Sequence, residues 1–297
     1  MKPKASIIIV NWNKKEDIIQ CLSSLRNITY PNFKIIIVDN GSTDGSQKAI
    51  RENFPEIDLI ENDENVGFCE GNNIAIEKEL KGKTDYILLL NNDTVIKEPN
   101  FLDILVNYAD KRRGIGIVGP ETYYYKTNII QFGGGKINYL LGFAVHMHKG
   151  VNERNLKLKS PYEVDYVSGA CLLIKREVIE KIGLLDPIYF AYYEETDLCF
   201  RTKNAGYKVL LMPETAIWHN KYQSKTKFEK LNPTKAYLLA RNAIIFGRKN
   251  LTGLKKISYL SAQLIFRAPL NLIFLMQNFN AFKKYLIGIY HGFSTKI

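Results

Sequence analysis

Two runs constrain this 297-residue chain more than anything else in it: Ile35-Ile36-Ile37-Val38 and Ile87-Leu88-Leu89-Leu90. Each is apolar at every position. A strand with one face in water alternates apolar and polar residues. A strand covered on both faces does not, and that is the pattern of a parallel sheet held between helices. Strand-like runs at 5–11, 34–39, 57–61, 85–90 and 116–119 alternate with helical patterns at 18–25, up to about 53, 68–80 and 101–109. That alternation predicts βαβ units and an α/β fold with a Rossmann-like, mostly parallel sheet flanked by helices. After Pro120 the pattern changes. Residues 123–159 read as hairpins or long loops, 162–174 as strand, 176–182 and 194–205 as helix, 207–212 as a last strand, and 234 onward as helix to the end.

Composition narrows the class. The chain is 46% hydrophobic and 24% charged, which is globular. Cys21, Cys69, Cys171 and Cys199 lie far apart with no CxxC or zinc spacing, so reduced thiols are expected. The apolar stretch at 5–10 is too short for a signal-peptide core. The longest near-apolar run, 257–276, is interrupted by Gln263, Arg267, Pro269 and Asn271 and does not read as a transmembrane helix. The net charge of +11 is unevenly placed. Residues 1–220 hold 27 Lys+Arg and 29 Asp+Glu; residues 221–297 hold 14 Lys+Arg and one acid, Glu229. The chain therefore divides into a near-neutral body, 1–220, and a basic, aromatic-rich helical region, 221–297, that suits a polyanion.

In open parallel sheets, ligands bind beyond the carboxyl ends of the strands. Here four successive strands end in polar clusters: Asn11-Trp12-Asn13, Asp39-Asn40-Gly41-Ser42, Asn62-Asp63-Glu64-Asn65 and Asn91-Asn92-Asp93. One such cluster can be a turn or cap. Four together describe a site able to bond a base, a ribose and a sugar and to ligate a hard cation. No Walker loop or Rossmann glycine fingerprint is present, and Gly133-Gly134-Gly135 reads as a flexible loop.

Ser6-Ile-Ile-Ile-Val-Asn-Trp-Asn13, Val38-Asp-Asn-Gly-Ser-Thr-Asp-Gly45, Asn65-Val-Gly-Phe-Cys-Glu-Gly-Asn-Asn73 and Leu90-Asn-Asn-Asp-Thr94 resemble the successive motifs of family 2 inverting glycosyltransferases with the GT-A fold, in particular their rhamnosyltransferase-like branch. The resemblance continues through Ser168-Gly-Ala170, Tyr193-Glu-Glu-Thr-Asp-Leu-Cys-Phe-Arg201 and Ile217-Trp-His219, and covers about residues 4–220. It implies transfer from a UDP- or dTDP-sugar, dTDP-rhamnose included, to a hydroxyl of a glycan or lipid-linked acceptor in cell-surface polysaccharide synthesis. It implies a divalent cation, Mg²⁺ or Mn²⁺, on Asp93 and His219. The family's acid at position 91 is Asn91 here, which adds no charge. The resemblance assigns Glu195 as the general base, with Glu194 second. Asp39 matches the carboxylate that pairs with the nucleotide base; a carboxylate accepts from the N3–H of uracil or thymine, which favours UDP and dTDP. Asn11, Asn65, Gly67, Asn91 and Asn92 fall in the donor pocket and Gly169 on the acceptor side.

Other expectations come from the residues themselves. Asp197 and Arg201 are spaced for an i,i+4 ion pair. His146 and His148 read as exposed loop residues. The Gln263/Arg267/Asn271 stripe, with apolar residues on the rest of 257–276, suits a helix packed on the body or lying at a membrane interface. A cytoplasmic protein held at the inner face of the cell membrane by an anionic surface is expected, with no nucleic-acid partner. A basic nucleic-acid-binding protein and a catalytically inactive sugar-binding relative are the alternatives.

Overall fold

The strands show on both faces the burial their sequence demands. In a computed structural model describing residues 2–156, 160–219 and 232–297, β1 (Ala5–Asn11), β2 (Phe33–Asn40), β3 (Asp58–Asn62) and β4 (Tyr86–Leu90) form a parallel array. Ile7, Ile9, Ile37, Leu88 and Leu90 point into one hydrophobic layer, and Ile8, Ile36, Val38, Ile87 and Leu89 into the other. Fully burying each such side chain contributes about 1.5–3 kcal/mol.

Helices cover both layers. On the first lie α1 (Lys15–Leu25), α2 (Ser46–Asn53) and α4 (Phe101–Asp110); Ile18, Leu22 and Leu25 of α1 are the inward positions, as their spacing predicts. The second carries α3 (Gly67–Leu80), α5 (Arg176–Ile182), α6 (Glu194–Asn204), and two helices from the basic region, α7 (Pro233–Asn250) and α8 (Gly253–Ala262). A π-helical turn, Gln263–Arg267, joins α8 to α9 (Ala268–Leu275), and α10 (Phe279–Ser294) closes the chain against α7. Gly288 and Gly292 make that contact close: a Cβ on Gly288 would stand 2.4 Å from the Tyr237 carbonyl oxygen.

The remaining strands are β5 (Thr94–Ile96), β6 (Ile115–Tyr124), β7 (Ile130–Phe132), β8 (Gly135–Asn138), β9 (Phe143–His146), β10 (Tyr162–Glu163), β11 (Cys171–Lys175) and β12 (Lys208–His219). The main sheet runs β10-β12-β6-β11-β4-β1-β2-β3, with β11 antiparallel to both neighbours, and β8-β9 is a separate hairpin.

Four readings change. The 116–119 strand runs on past Pro120 as far as Tyr124. Its ladder to β12 is already broken between Met212 and Ala216, where a missing N–H costs least. The 207–212 strand likewise extends to His219. The run at 162–174 is two strands, because Val164–Ala170 breaks away to form one wall of the site. Gly133–Gly135 is not a flexible loop: the Gly133 N–H bonds Met147, and Gly135 opens β8 so tightly under Tyr166 that a Cβ there would come within 2.1 Å of the ring. The boundary expected at 220/221, and Lys221, Lys225, Lys227, Glu229 and Lys230 with it, lies outside the described residues.

Candidate active site

Antiparallel register builds one half of the site. β12 pairs with β5 so that His219 stands opposite Thr94, which brings the preceding residue, Asp93, beside the imidazole. His219 Nε2 lies 2.9 Å from Asp93 Oδ1, and His219 Nδ1 lies 2.8 Å from Gln131 Oε1. Both ring nitrogens thus face oxygen, and a neutral imidazole carries one N–H. A cation between Nε2 and Asp93, a proton or a metal ion, satisfies the second. Gln131 then fixes the ring from behind, as supporting acceptors do in metal sites. This O/N donor pair fits Mg²⁺ or Mn²⁺ with positions left for a diphosphate. Among the described residues no three of His, Cys, Asp and Glu converge into a closed metal cage.

A strained turn builds the other half. Phe190, Tyr192 and Tyr193 have φ of 62°, 68° and 77°, in the left-handed region that bulky residues avoid. Each such residue costs on the order of 1–3 kcal/mol and persists only where its surroundings over-determine it. Here they do. The Phe68 and Cys69 N–H groups donate to Phe190 O. The Asn242 side chain, from α7, donates to the carbonyls of Tyr189, Ala191 and Tyr192 at 2.8–2.9 Å. Arg241 adds a bond to Ile188 O at 2.6 Å. The turn ends at the N-terminus of α6, whose first two residues are Glu194 and Glu195. Glu194 is buried and Glu195 half-buried. Gly169 lies against Glu195: a Cβ on Gly169 would meet the glutamate side chain at 3.5 Å.

Both halves open into one cavity of ≈ 560 Å³, lined by Asn91, Gly169, Glu194, Glu195 and His219. The basic region contributes Lys235, Leu239, Phe246, Tyr259 and Arg267 to the same walls. His146 lies on β9, exposed but at the edge of this cavity, with its ring 5.0 Å from Phe132. His148 is half-buried at a turn with φ 56°. His146 is thus exposed but on a strand, and His148 is a turn residue but half-buried.

The donor-pocket residues form a bonded network at the strand ends. Asn11 and Asp39 are register partners across β1 and β2, and both are fully buried. Asp39 Oδ1 accepts from Ser42 N and Gln47 Nε2, each at 2.8 Å, and Oδ2 accepts from Asn11 Nδ2 at 2.9 Å. With two lone pairs per oxygen, these bonds leave one on Oδ2. Asn92 donates to Asn11 Oδ1 at 2.8 Å, tying β4 to this network. One strand over, Asn40 donates to Gly67 O at 3.0 Å, and Asn65 Oδ1 accepts from Gly67 N at 2.9 Å. Gly67 has φ 89°, and the Phe190 ring fills the space a side chain would need. Asp93, Asn91, His219, Gly169, Glu194 and Glu195 are therefore brought together. Asp39 is hydrogen-bonded to Asn11, and Asn11 to Asn92, which adjoins that group as the chain neighbour of Asn91 and Asp93; Asn65 and Gly67 belong to a neighbouring cluster.

Asp197 pairs with Arg201 at 2.6 Å, as its spacing predicts, and also binds Lys249 and Asn250 of α7 and the Tyr189 hydroxyl, at 2.7–3.0 Å. Burial alone would raise its pKa. Arg201, Lys249 and the bonds from Asn250 and Arg201 override that and hold it below the ordinary carboxylate value. All four cysteines are free and buried, and burial pushes the Cys21 and Cys199 thiols up to about 12.

The architecture is that of the GT-A glycosyltransferases. A mannosyltransferase from Pyrobaculum calidifontis, solved with GDP-Man and Mn²⁺, superposes with a TM-score of 0.60 at 14% identity over 100% of this chain and 77% of that one. The transferase GalNAc-T7, solved with UDP, GalNAc and Mn²⁺, superposes with 0.61 at 16% identity over 93% of this chain and 51% of that one. The model of glycosyl transferase family 2 matches residues 6–183, and the chain belongs to that family. It is 29% identical over 255 residues to the rhamnosyltransferase WbbL of Escherichia coli K12, covering 82% of this chain and 95% of that protein. It is 26% identical over 235 residues to the N-acetylglucosaminyl-diphospho-decaprenol L-rhamnosyltransferase of Mycobacterium tuberculosis, covering 73% and 76%. The protein is a glycosyltransferase.

Proposed function

We propose that the protein moves a sugar, with inversion, from a UDP- or dTDP-sugar to a hydroxyl of a glycan or lipid-linked acceptor in cell-surface polysaccharide synthesis, with dTDP-rhamnose the first donor to test. One observation carries this reading: a half-buried carboxylate, Glu195, and His219, which is paired with Asp93, open into the same cavity. Relatives named as rhamnosyltransferases support the choice of sugar.

Glu195 takes the proton of the attacking hydroxyl. It is preferred over Glu194 because, of the two acids lining the cavity, Glu195 is the more exposed and stands second in the acidic pair. Gly169 leaves the space above Glu195 clear for the acceptor ring. Mg²⁺ or Mn²⁺, when held by Asp93 and His219, supplies the positive charge that stabilises the departing diphosphate. Asn11, Asp39, Asn92, Asn65 and Gly67 shape the nucleotide end, and Asp39, fully buried, holds the Asn11 and Gln47 side chains there.

The test is transfer or hydrolysis of dTDP-rhamnose and a panel of UDP- and dTDP-sugars with Mn²⁺. Asp93→Ala should lose metal-dependent donor binding. Glu195→Gln should bind donor normally and lose roughly 10²–10⁴-fold in kcat, the scale of general base catalysis. Normal turnover by Glu195→Gln would sink the base assignment.

The proposed place of action is the inner face of the cell membrane. Among the described residues no helix is long and apolar enough to cross a membrane. The support is an exposed apolar face on α8, α9 and the start of α10, formed by Leu254, Ile257, Leu270, Ile273 and Phe279.

A further inference from the structure

The polar stripe of the basic region faces inward. Gln263 is buried and donates to the Gly142 carbonyl, while Asn271 donates to the Tyr285 hydroxyl at 2.8 Å. Arg267, between them, reaches the catalytic cavity that holds Glu195, Gly169 and His219. It ends the π-helical turn Gln263–Arg267, a geometry that recurs at functional sites because it re-aims a side chain at a cost in hydrogen bonding. Among the described residues Arg267 makes no ion pair and donates no hydrogen bond. Its neighbours are tyrosines. Burial pushes up the Tyr193, Tyr259 and Tyr285 hydroxyls, and the charge of Arg267 opposes that shift in all three. A half-buried guanidinium among neutral hydroxyls carries five N–H donors; Glu194 and Glu195 share its cavity but form no ion pair with it, so it is poised to take an anion.

Two kinds of anion can enter such a cavity: the donor's diphosphate and any phosphate on the acceptor. The Asp93–His219 pair sits at the β5/β12 wall. Arg267 comes from the helical part of the lining, beside Tyr193 in the turn that mounts Glu195. The same stretch of helix settles the choice. Ile265 and Phe266 are 63% and 55% exposed, and Leu270, one turn on, is 63% exposed. One helical turn therefore offers a fork of N–H donors to the cavity and hydrocarbon contact to the outside. A phosphate joined to a hydrocarbon chain matches both.

We propose that Arg267 binds the phosphate linker of an amphiphilic, lipid-phosphate-linked acceptor and so selects the acceptor. This rests on sugar transfer at Glu195 as read above. Arg267 is a specificity residue: it touches the acceptor's phosphate, not the bond that forms.

The test is calorimetric titration of the full-length protein and of Arg267→Ala with farnesyl diphosphate, farnesol, inorganic diphosphate, UDP and dTDP. The wild type should bind farnesyl diphosphate at least ten-fold more tightly than farnesol or inorganic diphosphate. Arg267→Ala should weaken farnesyl diphosphate about 10–100-fold, the value of a charge-assisted bond. Farnesol, UDP and dTDP should change less than two-fold, and Arg267→Lys should recover part of the loss. Equal weakening of UDP or dTDP would assign Arg267 to the donor and overturn the proposal. So would unchanged farnesyl diphosphate binding, or inorganic diphosphate bound as tightly as the lipid. Failure of the transferase reading shows separately, as absent turnover of every nucleotide-sugar by the wild type, and the titrations remain decisive for Arg267 in that case.

Discussion

Asn242 Nδ2 has two hydrogens and three carbonyl oxygens within 2.9 Å, so it shares them across the turn that carries Glu194 and Glu195. Asn242→Ala leaves the Ala191 and Tyr192 carbonyls unmet, while Tyr189 O keeps its bond from Ala191 N–H, at about 1–3 kcal/mol. Guanidinium unfolding should show that loss, and kcat should fall more than donor affinity does, because the Asp93–His219 half of the site stands on other elements. Asn242→Asp should be no better, since an ionised carboxylate cannot donate. An unchanged kcat in Asn242→Ala would mean the turn holds its φ values without the clamp. At this scale the strand-end residues were legible, since parallel strands aim their carboxyl ends at ligands and Asn/Asp clusters there stand out. Gln131 and Tyr166 were not, because the hairpin and the broken strand that deliver them follow no sequence period; Arg267 was legible as part of a polar helical stripe but not as a residue of the cavity. Asn242 did leave a signal: a polar residue inside Ala240–Gly247, a stretch otherwise buried except for Arg241.

Two elements from distant parts of the chain, α6 and α7, meet on the Asp197 carboxylate. Its folded pKa is held below the unfolded value of about 3.9. Between the two values the unfolded chain binds more protons, so stability rises with pH across that window. The contribution is fully present above the unfolded pKa and disappears as pH falls through the folded one. Denaturation midpoints should therefore drop below about pH 4. Asp197→Asn should flatten that dependence while costing about 3 kcal/mol near neutrality, because Arg201 loses its acid and Lys249 keeps only Asp186. A mutant with wild-type acid sensitivity would move the effect to other carboxylates, such as Asp165, also held low by Lys203 against the opposing effect of burial. Element existence was readable where one physical demand acts alone: apolar strands between two helical layers, and Ile18, Leu22 and Leu25 on one face. Limits drifted where two demands compete, as at Pro120, where β6 continues because its partner has already bulged.

Over the whole molecule, the basic excess divides into a structural part and an exposed part. Residues 232–297 carry ten Lys+Arg and no acid. Arg241, Arg248, Lys249 and Lys256 bond carbonyls or acids of the fold. Lys255, Lys283, Lys284 and Lys296 are exposed. Beside them Leu254, Ile257, Ile265, Leu270, Ile273, Met276 and Phe279 are each 63–84% exposed. The helices are thus amphipathic the wrong way round for a protein surrounded by water, with Gln263, Arg267 and Asn271 inside and hydrocarbon outside. Charge alone would suit a nucleic acid, but a phosphate backbone offers nothing to that hydrocarbon, whereas an anionic bilayer meets both. Each exposed lysine contributes about 1 kcal/mol at such a surface, so four suffice for reversible binding once apolar side chains insert. The full-length protein should sediment with phosphatidylglycerol-containing vesicles, and less so as salt rises. It should leave neutral vesicles largely in the supernatant. Lys283→Glu with Lys284→Glu should abolish the anionic preference, and Ile257→Ser with Ile273→Ser should weaken binding even at low salt. Turnover of the nucleotide-sugar in solution should be unchanged in both. Equal partition into neutral and anionic vesicles, or into neither, would remove the membrane from the account and leave this face for another partner.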